Sequence, residues 1–222
     1  LPASEYKRLS SYLEYVSLTP GQILHDVGDI MNEVYFPQEG MISLVSIMSD
    51  GSTTEIGIVG KEGMTGLPVI FGGGQTTSRS IVQINGSALK LPAKIMKQEF
   101  DRGQELYKLL LLYIQARLTQ VAQTAACNRQ HIIELRLARW LLMVSDCVRS
   151  EQLNLTQEFI ANMLGTRRSG VTVAASALQK AETISYHRGH IKIIDRRKLE
   201  TCSCECYQIW RNEYSRLFGS LF

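Results

Sequence analysis

The stretch that decides the reading is Leu153-Asn-Leu-Thr-Gln-Glu-Phe-Ile-Ala-Asn-Met-Leu-Gly165-Thr-Arg-Arg-Ser-Gly-Val-Thr-Val-Ala-Ala-Ser-Ala-Leu-Gln179. Thr156 suits a helix N-cap, Glu158 complements the dipole in the first turn, and Leu155 and Ile160 stand where a hydrophobic staple would join them. Two turns later Gly165 offers a left-handed stop. A second helix is predicted from about Thr166-Arg167-Arg168, turning Val171, Ala174, Ala175 and Leu178 inward. Two short helices crossing near a right angle need a small residue at the contact and a glycine in the turn. Ala161 and Gly165 fill those places, so the spacing is that of a DNA-binding helix-turn-helix. An ordinary helical hairpin also turns on glycine. It does not account for Arg167-Arg168 at the exposed start of the second helix, where base edges and phosphates are met and arginine can bond guanine twice.

Directly after it comes Thr183-Ile-Ser-Tyr-His-Arg-Gly-His-Ile-Lys-Ile-Ile-Asp195. Two short β runs flank a basic tip, which predicts a wing whose Arg188 reaches a neighbouring phosphate. His187 and His190 read as turn residues rather than ligands. The candidate DNA contacts are therefore Thr156, Gln157, Arg167, Arg168, Ser169, Thr172 and Arg188.

Upstream, Glu105 to about Gln130 carries Tyr107, Leu111, Ile114, Leu118, Val121 and Ala125 at alternating spacings of four and three. That is a coiled-coil seam over almost three heptads, and it predicts a dimer helix. Leu109, Leu110, Leu112 and Tyr113 supply a second apolar face that can cover the chain's own core. A further amphipathic helix is expected from Ile132 to Val148.

Before that helix the pattern has a different period. All five prolines and 12 of the 17 glycines precede residue 93, so strands come first and helices afterwards. β-favouring runs recur at Gln22-Ile-Leu-His25, Val34-Tyr-Phe36, Met41–Ile47, Thr54–Val59, Arg79–Ile84 and Ala88–Leu91. Pro20-Gly21, Gly28-Asp29, Glu39-Gly40, Asp50-Gly51, Gly72-Gly73-Gly74 and Asn85-Gly86 are read as the turns between them. Many short strands at such spacing indicate a sandwich or barrel, and Asp50-Gly51 is the sharpest hairpin signal.

The 222 residues are 45% apolar and 20% charged, which fits a globular chain of one or two domains and excludes disorder. The longest apolar stretch, Leu109–Ile114, is far short of the roughly 20 residues a bilayer needs. Leu1-Pro2-Ala3-Ser4-Glu5 has no basic start leading into an apolar run, so no signal peptide is expected there. From Arg129 onward 14 Lys and Arg oppose 9 Asp and Glu, a net +5, whereas the earlier part carries −2. The anionic partner is thus expected at the second half.

The five cysteines, Cys127, Cys147, Cys202, Cys204 and Cys206, are too few, too late and odd in number for a disulfide framework, and suit a reducing cytoplasm. The Cys202-Ser-Cys204-Glu-Cys206 run invites a metal, but no CxxC pair accompanies it. On one helix Cys204 would point away from Cys202 and Cys206. Buried thiols are expected, with no metal and no cofactor.

Taken together, these features resemble the Crp/Fnr family of bacterial transcription regulators across essentially the whole chain. The resemblance rests on the order β-roll, long helix, winged helix-turn-helix, on Gly-Thr-Arg-Arg-Ser-Gly-Val-Thr at 165–172, on Arg136-Leu-Ala-Arg-Trp-Leu-Leu142, and on the wing around Arg188-Gly189. It implies an α+β fold with an N-terminal double-stranded β-helix (a jelly-roll-like β-roll) over residues 1–102. A dimerisation helix would span 103–130 and a winged helix-turn-helix 131–222. It also implies a cytoplasmic homodimer on palindromic double-stranded DNA, with RNA polymerase as a further partner and an effector at the β-roll.

Arg168 matches the family's base-reading arginine. Ser169 and Val173 stand where its cyclic-AMP-responsive activator carries a glutamate and a second arginine, so a different operator is expected. Glu182-Thr183 replaces the usual Gly-Leu before the wing, which predicts a less regular helix end. The family's phosphate-binding turn departs too: Ser78-Arg79-Ser80 follows Gly60-Lys61-Glu62-Gly63 at the wrong distance. Val121 and Ala122 stand where the activator contacts adenine. Glu62, Ser78, Arg79 and Val121 are the candidate effector positions, and a conventional cyclic-AMP pocket is not expected.

Iron–sulfur sensing would need cysteines before Cys127. Haem sensing would need ligands in the β-roll, where His25 is the one histidine and is expected at a strand-end surface. Its lone imidazole also excludes a cupin-type metal enzyme, and no Gly-x-Ser-x-Gly, His-Glu-x-x-His or Walker loop is present. An enzyme is not expected. The competing readings are a ligand-binding interaction module without DNA contact and a cyclic-AMP-responsive activator with a non-standard pocket.

Overall fold

A computed structural model describes residues 1–219. The chain forms two compact units, one of Leu1–Leu44 with Ile58–Leu118 and one of Val45–Gly57 with the residues from Thr119 onward.

The chain opens with α1 (Ala3–Ser10), β1 (Glu14–Leu18) and β2 (Ile23–His25). Two long strands, β3 (Glu33–Ile47) and β5 (Arg79–Pro92), are separated by β4 (Thr53–Val59) and the short α2 (Leu67–Phe71). The sheet order is β1-β5-β3-β4, with β2 also on β5. β1 runs antiparallel to the later half of β5, from Glu14 opposite Lys90 to Leu18 opposite Gly86. Leu18, Tyr35, Ile42, Val59, Val82 and Ala88 form a core between these strands.

Glu39-Gly40 and Asn85-Gly86 are not turns. Each lies inside a long strand, and the two strands touch there. A Cβ on Gly40 would stand 2.5 Å from the Ile84 carbonyl oxygen, and one on Gly86 would stand 2.2 Å from that of Glu39. Glycine in a strand here marks close backbone approach, so the runs read as separate strands fuse into two. His25 is corrected as well: it is buried, with Nε2 at 2.9 Å from the Glu33 carbonyl and its ring edge-on to Tyr35.

α3 (Ala93–Asp101) leads into α4 (Glu105–Gln130), 26 residues and about 39 Å long. Leu106, Leu110, Tyr113, Ala116 and Arg117 are the buried positions of its first half. Tyr113 Oη donates to the Met64 carbonyl at 2.9 Å and accepts from the Met64 N–H at 3.1 Å. The ring lies so close to Gly63 that a Cβ there would be 2.3 Å from the hydroxyl. Arg117 Nη1 donates to the Ile58 carbonyl at 2.7 Å. Gln120, Thr124 and Cys127 continue this buried row in the second half of the helix. Leu109 and Leu112 of the expected second apolar face are only half-buried.

The second unit continues with α5 (Ile133–Val148), β6 (Gln152–Asn154), α6 (Gln157–Leu164), α7 (Arg168–Lys180), β7 (Ile184–His187) and β8 (His190–Ile193). It ends in α8 (Arg196–Thr201) and α9 (Glu205–Phe218). β6, β8 and β7 make an antiparallel sheet in that order. α5 is buried on nearly all sides, as a helix at the centre of a small bundle must be. Trp140 on it donates to Glu55 Oε1 at 2.7 Å, and Asp146 takes Arg196 and the Tyr207 hydroxyl. Burial pushes the Asp146 carboxyl up from its ordinary value against the pull of Arg196. Cys202, Cys204 and Cys206 do not share one helix: Cys202 closes α8 and Cys204 is the N-cap of α9. That break overturns the helical-face reading, and Cys204 joins Cys206 while Cys202 stays apart.

Candidate nucleic-acid interface

Local chemistry builds the two helices that matter. Thr156 Oγ1 accepts from the Phe159 N–H at 3.2 Å, and Leu155 and Ile160 are both buried beside it. α6 stops at Gly165, whose φ is +57°. α7 buries Val171, Ala174, Ala175 and Leu178 and exposes Arg168, Ser169 and Thr172. Its N-cap, Arg167, contributes no side-chain cap, so the first-turn N–H groups keep their positive field for an incoming anion.

A concave surface of about 520 Å³ is lined by Thr156, Gln157, Arg168, Thr172, Gln179 and Arg188, among others. It draws together three segments: the start of α6, the exposed face of α7 and the wing tip. Thr172 Oγ1 sits 3.0 Å from Gln157 Oε1 and 3.1 Å from the Arg168 carbonyl, so its single proton serves one of them at a time. When the proton goes to Gln157, the bond ties the start of α6 to the exposed face of α7. The wing turn is Arg188-Gly189, with φ of +47° and +85°. Both values belong to a two-residue hairpin turn, and they aim Arg188 outward.

Five of the seven expected DNA contacts line this surface. Arg167 and Ser169 do not. They line a second concavity with Thr166, Gly170 and residues 51–54 of the β3–β4 hairpin. Two neighbouring arginines therefore serve different faces. The sequence reading missed Gln179, whose Oε1 accepts from the Tyr186 N–H at 2.6 Å and ties α7 to the wing. It also missed Tyr186, whose hydroxyl donates to the Leu155 carbonyl at 2.9 Å. The first bond spans seven residues across a helix end and the second spans 31, and neither leaves a periodic pattern.

α7 ends more regularly than expected: the Thr183 N–H bonds the Leu178 carbonyl at 3.1 Å and the Glu182 N–H that of Gln179 at 2.9 Å, the pattern of an ordinary left-handed helix cap. Glu182 takes φ +56°, and Thr183 Oγ1 donates to the Leu178 carbonyl at 2.8 Å. In the first unit, Arg79 is bound in two places by Asp26, at 2.9 and 2.8 Å. That pairing raises the Arg79 pKa and lowers that of Asp26. Glu62 Oε1 accepts the Gly60 N–H at 2.8 Å, and Ser78 bonds with Thr76. Val121 is exposed on α4.

The expected dimer seam lies on a face of α4 that the chain itself leaves open. Leu111, Leu118 and Val121 are 44%, 67% and 39% exposed. Ala125 is exposed, and Tyr107 and Ile114 are half-buried.

Residues 135–202 match the family described as the Crp-like helix-turn-helix domain, and residues 15–102 match the cyclic nucleotide-binding domain. No curated protein matches the chain in sequence. Among solved structures, it is similar to a protein from Eubacterium rectale described as a transcriptional regulator of the crp/fnr family. The identity is 21%, over 91% of this chain and 94% of that one, with a TM-score of 0.70. It is similar to FixK2 from Bradyrhizobium japonicum at 15% identity, over 86% and 98%, with a TM-score of 0.74. The c-di-GMP-responsive global regulator CLP from Xanthomonas campestris shares 14% identity over 86% and 98%, with a TM-score of 0.68. With both domain families matched in the order that the fold displays, the chain belongs to the Crp/Fnr family of transcription regulators.

Proposed function

We propose that this protein acts as a homodimer on a roughly twofold-symmetric operator, placing one α7 from each chain in successive major grooves. The observation that carries the reading is the surface joining Thr156, Gln157, Arg168, Thr172 and Arg188 at the open start of α7. Arg168 takes the base-reading role, because the N-terminal residues of such a helix reach base edges. Arg188 takes a phosphate from the wing. Arg167 and Ser169, on the other face, take the backbone beside the groove.

Dimerisation through α4 supplies the second recognition helix, and the exposed Leu118 supports it. An occupant of the β-roll would shift how the paired α4 helices sit, and so the spacing of the two α7 helices. Arg79 is already neutralised by Asp26, which argues against it as a phosphate ligand for a cyclic nucleotide. CLP, similar in fold, is described as c-di-GMP-responsive, so the fold alone admits more than one signal. RNA polymerase is the further partner that this reading brings, the cytoplasm is its compartment, and no catalysis belongs to it. Among the described residues, no helix is long and apolar enough to cross a membrane.

The test is a gel shift against genomic fragments at several salt concentrations. The expected result is retention that weakens steeply with salt and is strongest on a palindromic site. No salt-sensitive DNA binding would favour the ligand-binding module instead.

A further inference from the structure

Three thiols and an imidazole meet at the joint between α4, α5 and α9. Cys127 lies near the end of α4, and His131 follows one helical turn later, its N–H bonded to the Cys127 carbonyl at 3.0 Å. That spacing places both side chains on one face. Cys204 caps α9, and Cys206 is in its first turn. One atom from each of the four lies within 4.8 Å of every other. The separation is 3.5 Å between the Cys127 and Cys204 sulfurs, and 3.6 Å between Cys206 Sγ and His131 Nδ1.

We propose that Cys127, His131, Cys204 and Cys206 bind a single zinc-class divalent cation as a closed, structural Cys3His site. A tetrahedral ion with the usual zinc–sulfur and zinc–nitrogen bond lengths sets sulfur–sulfur edges at about 3.8 Å and sulfur–nitrogen edges at about 3.5 Å. The separations of 3.5 Å and 3.6 Å lie close to those edges, and the others, at most 4.8 Å, need only a small closure onto an ion. Cys127, Cys204 and Cys206 are buried and His131 is half-buried, which suits a site holding four protein ligands and no exchangeable water.

The surroundings are those of a metal centre. His131 turns Nδ1 toward the sulfurs, while its Nε2 lies 3.3 Å from the Glu205 carboxylate, the outer partner that orients a ligating histidine. Gln123 Nε2 donates to Cys206 Sγ at 3.1 Å.

Charge gives an independent argument. Arg136 and Arg139 are buried, with 7% and 4% exposure, and the Nε of each has no hydrogen-bond partner. Arg136 reaches the Leu164 carbonyl and Arg139 the Thr124 hydroxyl, both uncharged acceptors. Both guanidiniums act electrostatically on Cys127. A buried cation needs an anionic partner. Three thiolates and a neutral imidazole around a dication carry a net charge of −1, which supplies one. Neutral thiols supply none.

The proposal departs from the sequence expectation of buried thiols with no metal; the burial itself is observed for Cys127, Cys147, Cys204 and Cys206. The signal was present as Cys127-x-x-x-His131, but the second pair is Cys-x-Cys across a helix start and lies some 75 residues away. The proposal stands whether or not the protein binds DNA.

The test is metal content of the full chain purified under reducing conditions without chelator, then cobalt(II) titration of the stripped protein. About one zinc per chain is expected, and cobalt should give the intense thiolate charge-transfer and ligand-field bands of a tetrahedral site. Cys204→Ser and Cys206→Ser should each lose most of the metal. Cys202→Ser, outside the cluster, should keep it. If the serine variants fail to fold, the cobalt spectrum of the unaltered chain still decides. Lack of stoichiometric zinc together with lack of cobalt bands would overturn the proposal. So would a Cys127–Cys204 disulfide, iron–sulfur absorption, or equal metal loss in Cys202→Ser.

Discussion

Gly165, which ends α6 at φ +57°, faces Thr54 so closely that a Cβ added to it would stand 2.8 Å from the threonine hydroxyl. The turn of the helix-turn-helix is thus held by backbone need and by packing against the β3–β4 hairpin at once. Gly165→Ala should lose about 1–3 kcal/mol, of which about 1 is the left-handed backbone. Thr54→Ala should restore the steric part and leave the backbone part. Denaturant unfolding of the two single variants and the double checks this; a double variant no better than Gly165→Ala would show that the contact costs nothing.

The two basic residues of the DNA surface should fail differently. Arg168→Ala is expected to cost about 1–3 kcal/mol on the cognate site and to relax its sequence preference, because the proposed base contact would be lost. Arg188→Ala would remove the proposed phosphate contact, so it should weaken cognate and random DNA alike and flatten the salt slope by about one. Fluorescence anisotropy across a salt series separates them. Equal losses on both DNAs for Arg168→Ala would remove it from base reading.

The contrast between these regions shows what the sequence discloses. The cap at Thr156, the staple, Gly165 and the inward face of α7 are set by residues within a turn or two of each other, so spacing alone reveals them. Gly40 and Gly86 are 46 positions apart, and their purpose is each other's backbone. From the sequence they look like turn glycines. The buried row of α4 escapes hydropathy for another reason, since Arg117, Gln120 and Thr124 are polar. Arg117 is hidden because a carbonyl takes its charge-assisted hydrogen bond. The cysteine cluster needs four residues from two distant segments, which no single motif could record.

Glu182 stands at the end of α7 with φ +56°, a conformation that costs a side chain and costs glycine little. Among the described residues it pairs with Lys198 at 3.7 Å, a contact between two exposed side chains that offsets almost nothing. Glu182→Gly should therefore stabilise the fold by about 0.5–1 kcal/mol, read as a rise in melting temperature. A fall would mean that the carboxylate has work the geometry does not show.

Burial lowers the His25 pKa from its ordinary 6.5, and the Glu33 carbonyl only partly opposes this. The unfolded chain then binds the proton more readily than the folded one. Stability from this group is complete above about pH 6.5 and declines as pH falls below that value. Unfolding free energies measured from pH 7.5 to 5 should show that decline, and His25→Gln should flatten it. An unchanged slope in the variant would assign the decline to other groups.

The open face of α4 yields the last prediction. Leu118 is 67% exposed and Leu111 44%, one heptad apart on one face of the same helix. Apolar side chains at that spacing are stabilised by burial in a paired helix, at about 25 cal/mol per Å² covered. Leu118→Glu would set two carboxylates against each other across a twofold axis, without touching the buried row on the opposite face. Sedimentation at micromolar concentration should shift from dimer to monomer while the circular dichroism stays that of the folded chain. Binding to a palindromic site should weaken far more than binding to a half-site. A variant that remains dimeric would place the dimer contact elsewhere and sever α4 from the pairing of the recognition helices.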